Sequence, residues 1–217
     1  MNEMSEQTLR KHVIDTCLSM NASGLNQGTS GNVSVRFEDG FLITPSSMPY
    51  DQMRPKDIMF MDMDGRARGP HNPSSEWRFH RDILNTRPDI NAVVHTHATH
   101  CTTLALLGKP IPAVHYMVAV AGGNSIRCCP YATFGTQDLS DYVLEALKER
   151  FACLMAQHGM IACGTSLDKA LWLATEVETL ARQYWGALQI GTPAILSDTE
   201  IDRVLEKMKS YKYGREE

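Results

Sequence analysis

Between Glu6 and Met20 the apolar residues Leu9, Val13, Cys17 and Met20 recur at helical spacing, which predicts an amphipathic first helix. After Gly24 the texture changes. Gly28-Thr29-Ser30-Gly31-Asn32 is rich in turn formers, and Val33 to Phe37 then alternates as a strand does. Phe41 to Thr44 and Ile58 to Asp62 predict further strands, separated by turn residues from Pro45 to Pro49 and by Pro55. Pro73-Ser74-Ser75 introduces Glu76-Trp77-Arg78-Phe79-His80, a helix expected to run to about Asn85. Asn91 to His97 predicts a short apolar strand flowing into a helix from about His100 to Leu107. An apolar run from Ala113 to Ala121 is interrupted by Gly122-Gly123-Asn124. A helix over about Asp138 to Arg150 follows, then a strand at Ala152 to Ala156, a break at Gln157-His158-Gly159, and the apolar Met160 to Cys163. The longest helix is expected from about Ser166 to Gln189, with Leu171, Ala174, Val177, Ala181 and Tyr184 on one stripe. A last helix opens at the capping box Ser197-Asp198-Thr199-Glu200, where serine and glutamate can satisfy each other's amides. The sum is a mixed α/β chain with strands in uneven groups, not the regular alternation of a parallel doubly wound fold. No repeat, low-complexity tract or linker divides it, so residues 1–217 read as a single domain.

Composition narrows the class of function. At 217 residues the chain can bury a large core. Its formal charge of −4 lacks the basic excess of a general nucleic-acid binder. No apolar run approaches the roughly 18 to 20 residues that span a bilayer. The start, Met1 to Lys11, carries Glu3, Glu6, Arg10 and Lys11 and lacks the apolar core of a signal peptide. A cytoplasmic protein is expected, with no nucleic-acid and no membrane partner. The six cysteines, Cys17, Cys101, Cys128, Cys129, Cys153 and Cys163, form no Cys-x-x-Cys pair and read as reduced thiols.

The eight histidines are more informative, because His95, His97 and His100 fall within six residues. On a strand, His95 and His97 at i and i+2 point the same way, and two converging imidazoles form half of a metal site, with zinc the favoured ion. Spacing alone leaves a metal pair and an ordinary core or surface pair both open. His100, beyond the strand end, reads as a helix-start or supporting residue. His158 lies at a strand end before Gly159, where backbone can crowd a site. Glu76 offers a carboxylate at a helix start, where it could equally serve as a first-turn acid complementing the helix dipole. Nothing in the spacing joins these distant residues.

A resemblance joins them. The segments Gly24 to Val35, Pro73 to His80, His95 to Thr102, Ile111 to Met117, Ala121 to Ile126, Tyr131 to Thr136, Gln157-His158-Gly159 and Lys169 to Ala174 together resemble the class II aldolase/adducin family, within it the bacterial ketose-1-phosphate aldolases. The likeness runs from Gly24 to the C-terminus. It implies a three-layer α/β/α sandwich around a largely antiparallel sheet, assembled as a fourfold-symmetric homotetramer with active sites at subunit boundaries. It implies one Zn2+ per subunit held by His95, His97 and His158, with Glu76 as fourth ligand in the resting site. The implied reaction is reversible cleavage of L-fuculose 1-phosphate, or of a 5-deoxy- or 5-methylthio-pentulose 1-phosphate, to dihydroxyacetone phosphate and a small aldehyde. Neutral imidazoles suit that chemistry, since they leave the ion's double charge available to a developing anion where thiolates would cancel it.

By the same resemblance Glu76 is also the general base, and Tyr116 transfers a proton at the aldehyde oxygen from a neighbouring subunit. The phosphate is expected on three pairs, Gly31-Asn32, Ser46-Ser47 and Ser74-Ser75, with Phe134 and Tyr211 also binding substrate. Ser46-Ser47 stands where the family's sugar-phosphate aldolases carry threonine and glycine, so Ser47 lacks glycine's backbone freedom. Met208 replaces a phenylalanine and, if it lines the aldehyde end, softens that pocket. His12, His71, His80, His100 and His115 are left without a role in the site. A pentulose-5-phosphate 4-epimerase or a sugar-acid phosphate decarboxylase is the alternative within the same fold. The match through Tyr116, Phe134 and Tyr211 weighs against it. A non-enzymatic adducin-like module would not need the His95, His97, His158 and Glu76 set.

Overall fold

The alternation at Val33 to Phe37 becomes the first strand, β1 (Asn32–Phe37), which turns back into β2 (Gly40–Ile43) and then β3 (Met59–Asp62) and β4 (Ala67–Arg68). The computed structural model describes residues 5–210; Tyr211, expected at the substrate, lies outside them. Strand β5 (Ala92–Thr96) ends just before His97, and β6 (Ile111–Pro112) and β7 (Ser125–Cys129) follow a short helix. Strands β8 (Ala152–Met155) and β9 (Gly159–Gly164) form a hairpin. The strands lie in one sheet in the order β4-β3-β2-β1-β5-β9-β8-β7-β6. Every pairing is antiparallel except β7 with β8. The expectation of a largely antiparallel sheet holds.

Six α-helices flank the sheet in the described residues: α1 (Glu6–Ala22), α2 (Trp77–Thr86), α3 (Thr99–Leu106), α4 (Gln137–Ala146), α5 (Leu167–Ile190) and α6 (Asp198–Ser210). Side chains alternate across β5, so Ala92 and Val94 join the core under α1, α3 and α5 while Val93 joins the core under α2 and α4. Two cores, one on each face, make the three layers. Each fully buried aliphatic residue contributes about 1.5–3 kcal/mol to that arrangement. Helix α6 sits apart, packing Ile201 on Ala113 and Ala119, and Met208 lies against this small cluster.

The differences from the sequence reading have local causes. Strands β4 and β6 are two residues each, too short to alternate. Strand β7 carries Arg127, whose guanidinium donates to the carbonyls of Ala146 and Lys148, so its pattern is broken by a residue that serves tertiary contacts. Helix α4 stops at Ala146 rather than Arg150, because Arg150 turns back to donate to the Ser125 carbonyl and the Asn124 side chain. At the start of α6 the Ser197 hydroxyl accepts from the Glu200 amide, and the Glu200 carboxylate accepts from Arg203. All six cysteines are free thiols, five of them buried. No helix of the described residues is long and apolar enough to cross a membrane.

Candidate active site

The register of the sheet delivers the histidines. Antiparallel pairing sets Asn32 opposite His95 and His95 opposite Ile161, and the hairpin from β8 returns into β9 beside them. His95 is fully buried on β5, His97 follows two residues later, and His158 sits in the three-residue connection between β8 and β9. Their ring centroids form a near-equilateral triangle, 5.0 Å from His95 to His97, 4.9 Å from His95 to His158, and 5.0 Å from His97 to His158. One ring nitrogen from each lies within 4.8 Å of the others.

Two glycines permit this approach. A Cβ on Gly159 would stand 2.5 Å from the Thr96 carbonyl oxygen and 3.0 Å from the His97 ring; one on Gly31 would stand 2.6 Å from the His95 carbonyl oxygen. Gly159→Ala is therefore expected to push the His158 turn away from His97 and weaken metal binding at least tenfold, as measured by competition with a chelator. Tight binding in that variant would show that the turn adapts.

Glu76 completes the cluster. It occupies the N-cap position of α2 but makes no capping hydrogen bond. Its carboxylate lies instead 3.2 Å from His95 Nε2 and 3.1 Å from His158 Nε2, while Asn32 Nδ2 donates to Oε2 at 2.9 Å. The helix-dipole role weighed for this residue is thus secondary to its contact with the imidazoles. Burial alone would raise the Glu76 carboxyl, but the neighbouring imidazoles of His95 and His158 outweigh it and hold the group below the usual carboxylate range. Burial, reinforced by His95 and His158, lowers His97 to about 4, which leaves it neutral near pH 7.

These residues fit a cation. His95 Nδ1 meets the Met160 carbonyl at 2.9 Å, so the neutral ring carries its proton on Nδ1 and offers Nε2 to a cation. His95 Nε2, His97 Nε2 and Glu76 Oε1 are buried with no hydrogen-bond partner. Three converging, partnerless acceptors in one spot are the condition a bound metal resolves.

A cleft of about 320 Å³ opens over the cluster, lined by Ser30, Ser75, Glu76, His97, Tyr131, Ala132, Phe134, Gln157 and His158. A larger depression of about 940 Å³ lies elsewhere, around Arg87, Arg127 and Cys128, away from the histidines. The chemistry of the donor set, not size, marks the smaller one as the site.

The sequence of residues 11–185 matches the family model for the class II aldolase and adducin N-terminal domain. The L-fuculose phosphate aldolase of Escherichia coli (strain K12) is 56% identical over 209 residues, covering 96% of this chain and 97% of that protein. The 5-methylthioribulose-1-phosphate/5-deoxyribulose-1-phosphate aldolase of Rhodospirillum rubrum is 58% identical over 207 residues, covering 95% and 94%. The chain belongs to the class II aldolase and adducin family. A solved L-fuculose 1-phosphate aldolase shares the fold with a TM-score of 0.92 at 37% identity, covering 96% of this chain and 100% of that one.

In this class II aldolase the three expected phosphate pairs lie side by side. The Thr44 amide donates to Val33 O at 3.1 Å, and the Ser74 amide to Thr44 O at 3.0 Å. The Ser46 amide donates to Asn72 O, and Pro45 pairs with Pro73. Three loops are thereby laid edge to edge beside Glu76. Gly31, Asn32 and Ser74 are buried, whereas Ser46, Ser47 and Ser75 are exposed. Ser47 adopts φ 59°, the left-handed region that a glycine would enter without strain. The Asn32 side chain is already engaged by Glu76, and the Ser74 hydroxyl accepts from the Glu76 amide.

Phe134 lines the cleft. Tyr116 does not; it stands 48% exposed on a 3-10 turn (Tyr116–Ala121), stacked on His115. Met208 packs on the α6 cluster and is absent from the cleft lining. His100 has a structural duty: it and the amides at the start of α3 bond Glu178 of α5. Sequence reasoning overlooked Ser30, Tyr131 and Gln157 at the cleft. Each adjoins or lies within a resembling segment, but a polar residue beside a turn carries no signal of its direction.

Proposed function

We propose that this class II aldolase uses zinc to cleave a ketose 1-phosphate reversibly into dihydroxyacetone phosphate and a small aldehyde. L-Fuculose 1-phosphate and 5-deoxy- or 5-methylthio-pentulose 1-phosphates are the candidate substrates, being those named for its relatives. The observation that carries the reading is the triangle of His95, His97 and His158 closed by a buried, ionised Glu76 at the floor of a cleft. These four residues would hold the ion, Glu76 until substrate enters. Bound there, zinc supplies a positive charge, undiminished by neutral imidazoles, against the negative charge that develops on the substrate's oxygens.

Glu76 is the base at carbon. Freed from the imidazoles into a partly dry cleft, its carboxylate becomes more basic and can take or return the proton beside the carbonyl. The loops carrying Gly31-Asn32, Ser46-Ser47 and Ser74-Ser75 supply amides and hydroxyls for the phosphate, without a further metal. Phe134, 64% exposed at the cleft mouth, offers an apolar surface to the aldehyde's substituent; Tyr211 is assigned to substrate binding by the family resemblance alone.

Tyr116 protonates the aldehyde oxygen in the site of a neighbouring subunit. Its exposure and its absence from the lining of its own cleft suit that arrangement, which a homotetramer with sites at subunit boundaries would provide. Tyr116→Phe is expected to slow cleavage on the order of 10²-fold while sparing proton exchange on dihydroxyacetone phosphate, since only the second proton transfer is removed. Equal losses in both assays would remove Tyr116 from that role.

The direct test follows dihydroxyacetone phosphate release from a panel of pure ketose 1-phosphates varying at the aldehyde end. Release from at least one is expected. No release, together with epimerisation of pentulose 5-phosphates, would overturn the aldolase reading in favour of the epimerase.

A further inference from the structure

Behind Glu76 runs a buried chain of side chains whose hydrogen bonds have a single direction. The Ser34 hydroxyl lies 2.6 Å from His80 Nδ1, His80 Nε2 lies 2.5 Å from Asn32 Oδ1, and Asn32 Nδ2 donates to Glu76 Oε2 at 2.9 Å. Ser34 and His80 are fully buried, and Asn32 and Glu76 are 5% exposed. The Asn32 amide nitrogen faces Glu76 and its carbonyl oxygen faces His80. That carbonyl in turn requires the proton on His80 Nε2, leaving Nδ1 to accept from Ser34. One tautomer and one amide orientation satisfy every partner.

We propose that His80, acting through Asn32, is the residue that aims the Glu76 carboxylate. The role as base rests on the aldolase reading, whereas the role toward the metal rests on the donor set alone. Two features carry the inference. Glu76 and His80 lie one turn apart, at the N-cap and in the first turns of α2, so they share a face; Ser34 and Asn32 lie two apart on β1 and share another. The relay also holds only Oε2: Glu76 Oε1 is buried and without a hydrogen-bond partner. Oε2, 3.2 Å from His95 Nε2, is thus fixed, while Oε1, 3.1 Å from His158 Nε2, takes no part in the relay. His80 also stacks on Phe79, which packs edge-on against His95, so its ring is itself braced. Burial and the nearby His95 lower His80 to about 3, consistent with a neutral ring that donates from one nitrogen.

Two substitutions of similar size separate positioning from packing. In His80→Gln the amide nitrogen reaches the place of Nε2 and can still donate to Asn32. In His80→Asn it reaches only the place of Nδ1. Both are measured for folding by thermal melting, for zinc affinity by chelator competition, and for proton exchange on dihydroxyacetone phosphate. His80→Asn is expected to lose 10- to 100-fold in zinc affinity or exchange, the scale of losing a residue that orients a ligand, while His80→Gln recovers most of both at comparable stability. In an Asn32→Ala background, His80→Asn is expected to add no further loss, because the path is already cut. Equal zinc affinity and exchange in the Gln and Asn variants, or additive losses with Asn32→Ala, would overturn the proposal. If the parent protein binds zinc but exchanges no proton, the aldolase reading fails, and the zinc measurements still decide the role of His80.

Discussion

Alanine at position 97 is expected to give a folded protein that has lost zinc and aldol cleavage together. Of the proposed ligands His97 suits this test best, because its Nε2 has no hydrogen-bond partner and its removal leaves no buried group unpaired. His95 is less suited. It is fully buried with Nδ1 on the Met160 carbonyl, so replacing it would open a cavity and strand that carbonyl as well. Zinc held by four protein ligands is worth roughly 10–16 kcal/mol, so an equal share for one ligand is about 3 kcal/mol, or on the order of a hundredfold in affinity. Metal analysis after exhaustive dialysis, alongside circular dichroism, measures both halves of the result. Stoichiometric, tightly held zinc in His97→Ala would remove His97 from the ligand set.

Glu76→Gln should divide the two functions that His97→Ala removes together. Glutamine keeps the shape of the side chain and an oxygen for the Asn32 amide, but it has no basicity. Three imidazoles remain, so much of the zinc should stay bound. Exchange of the carbon-bound proton of dihydroxyacetone phosphate with deuterated water should fall by about 10² to 10⁴, the range attributed to a positioned general base. Unchanged exchange would assign the proton transfer to another group. The metal-free carboxyl sits below its usual range because of its imidazole neighbours, so the wild-type group is ionised at neutral pH and the comparison is between a carboxylate and an amide.

Much of this fold was legible where a residue's environment follows from local pattern. Val33 to Phe37 alternates because Val33, Val35 and Phe37 face one core while Ser34 and Arg36 on the other face bond His80 and backbone carbonyls, and His95 and His97 share a face because strand geometry has a period of two. Strand β7 was not legible: of its residues only Ile126 and Cys129 are buried, and Arg127 is held by carbonyls contributed by the end of α4 and the residues after it. The convergence of His158 and Glu76 on the β5 pair is a property of sheet order, which spacing cannot express; the family resemblance supplied it. The duty of Glu178, bonding amides 77 and 78 residues earlier in the chain, was equally invisible. His80 illustrates the remaining gap. A histidine inside a helix announces nothing, and its meaning comes from a strand more than forty residues away.

The connection between β8 and β9 has a consequence for how such a chain tolerates change. Met155 pairs with Gly159, leaving Ala156, Gln157 and His158 as the whole turn, with Gln157 in the left-handed region at φ 52°. The Gln157 amide is fixed to the Ala105 carbonyl at the end of α3. Adding or deleting one residue here would rotate His158 out of the triangle or slip β9 by one position, turning its two faces over. The turn bearing His158 therefore works as a ruler whose length is set by the triangle of imidazoles it completes.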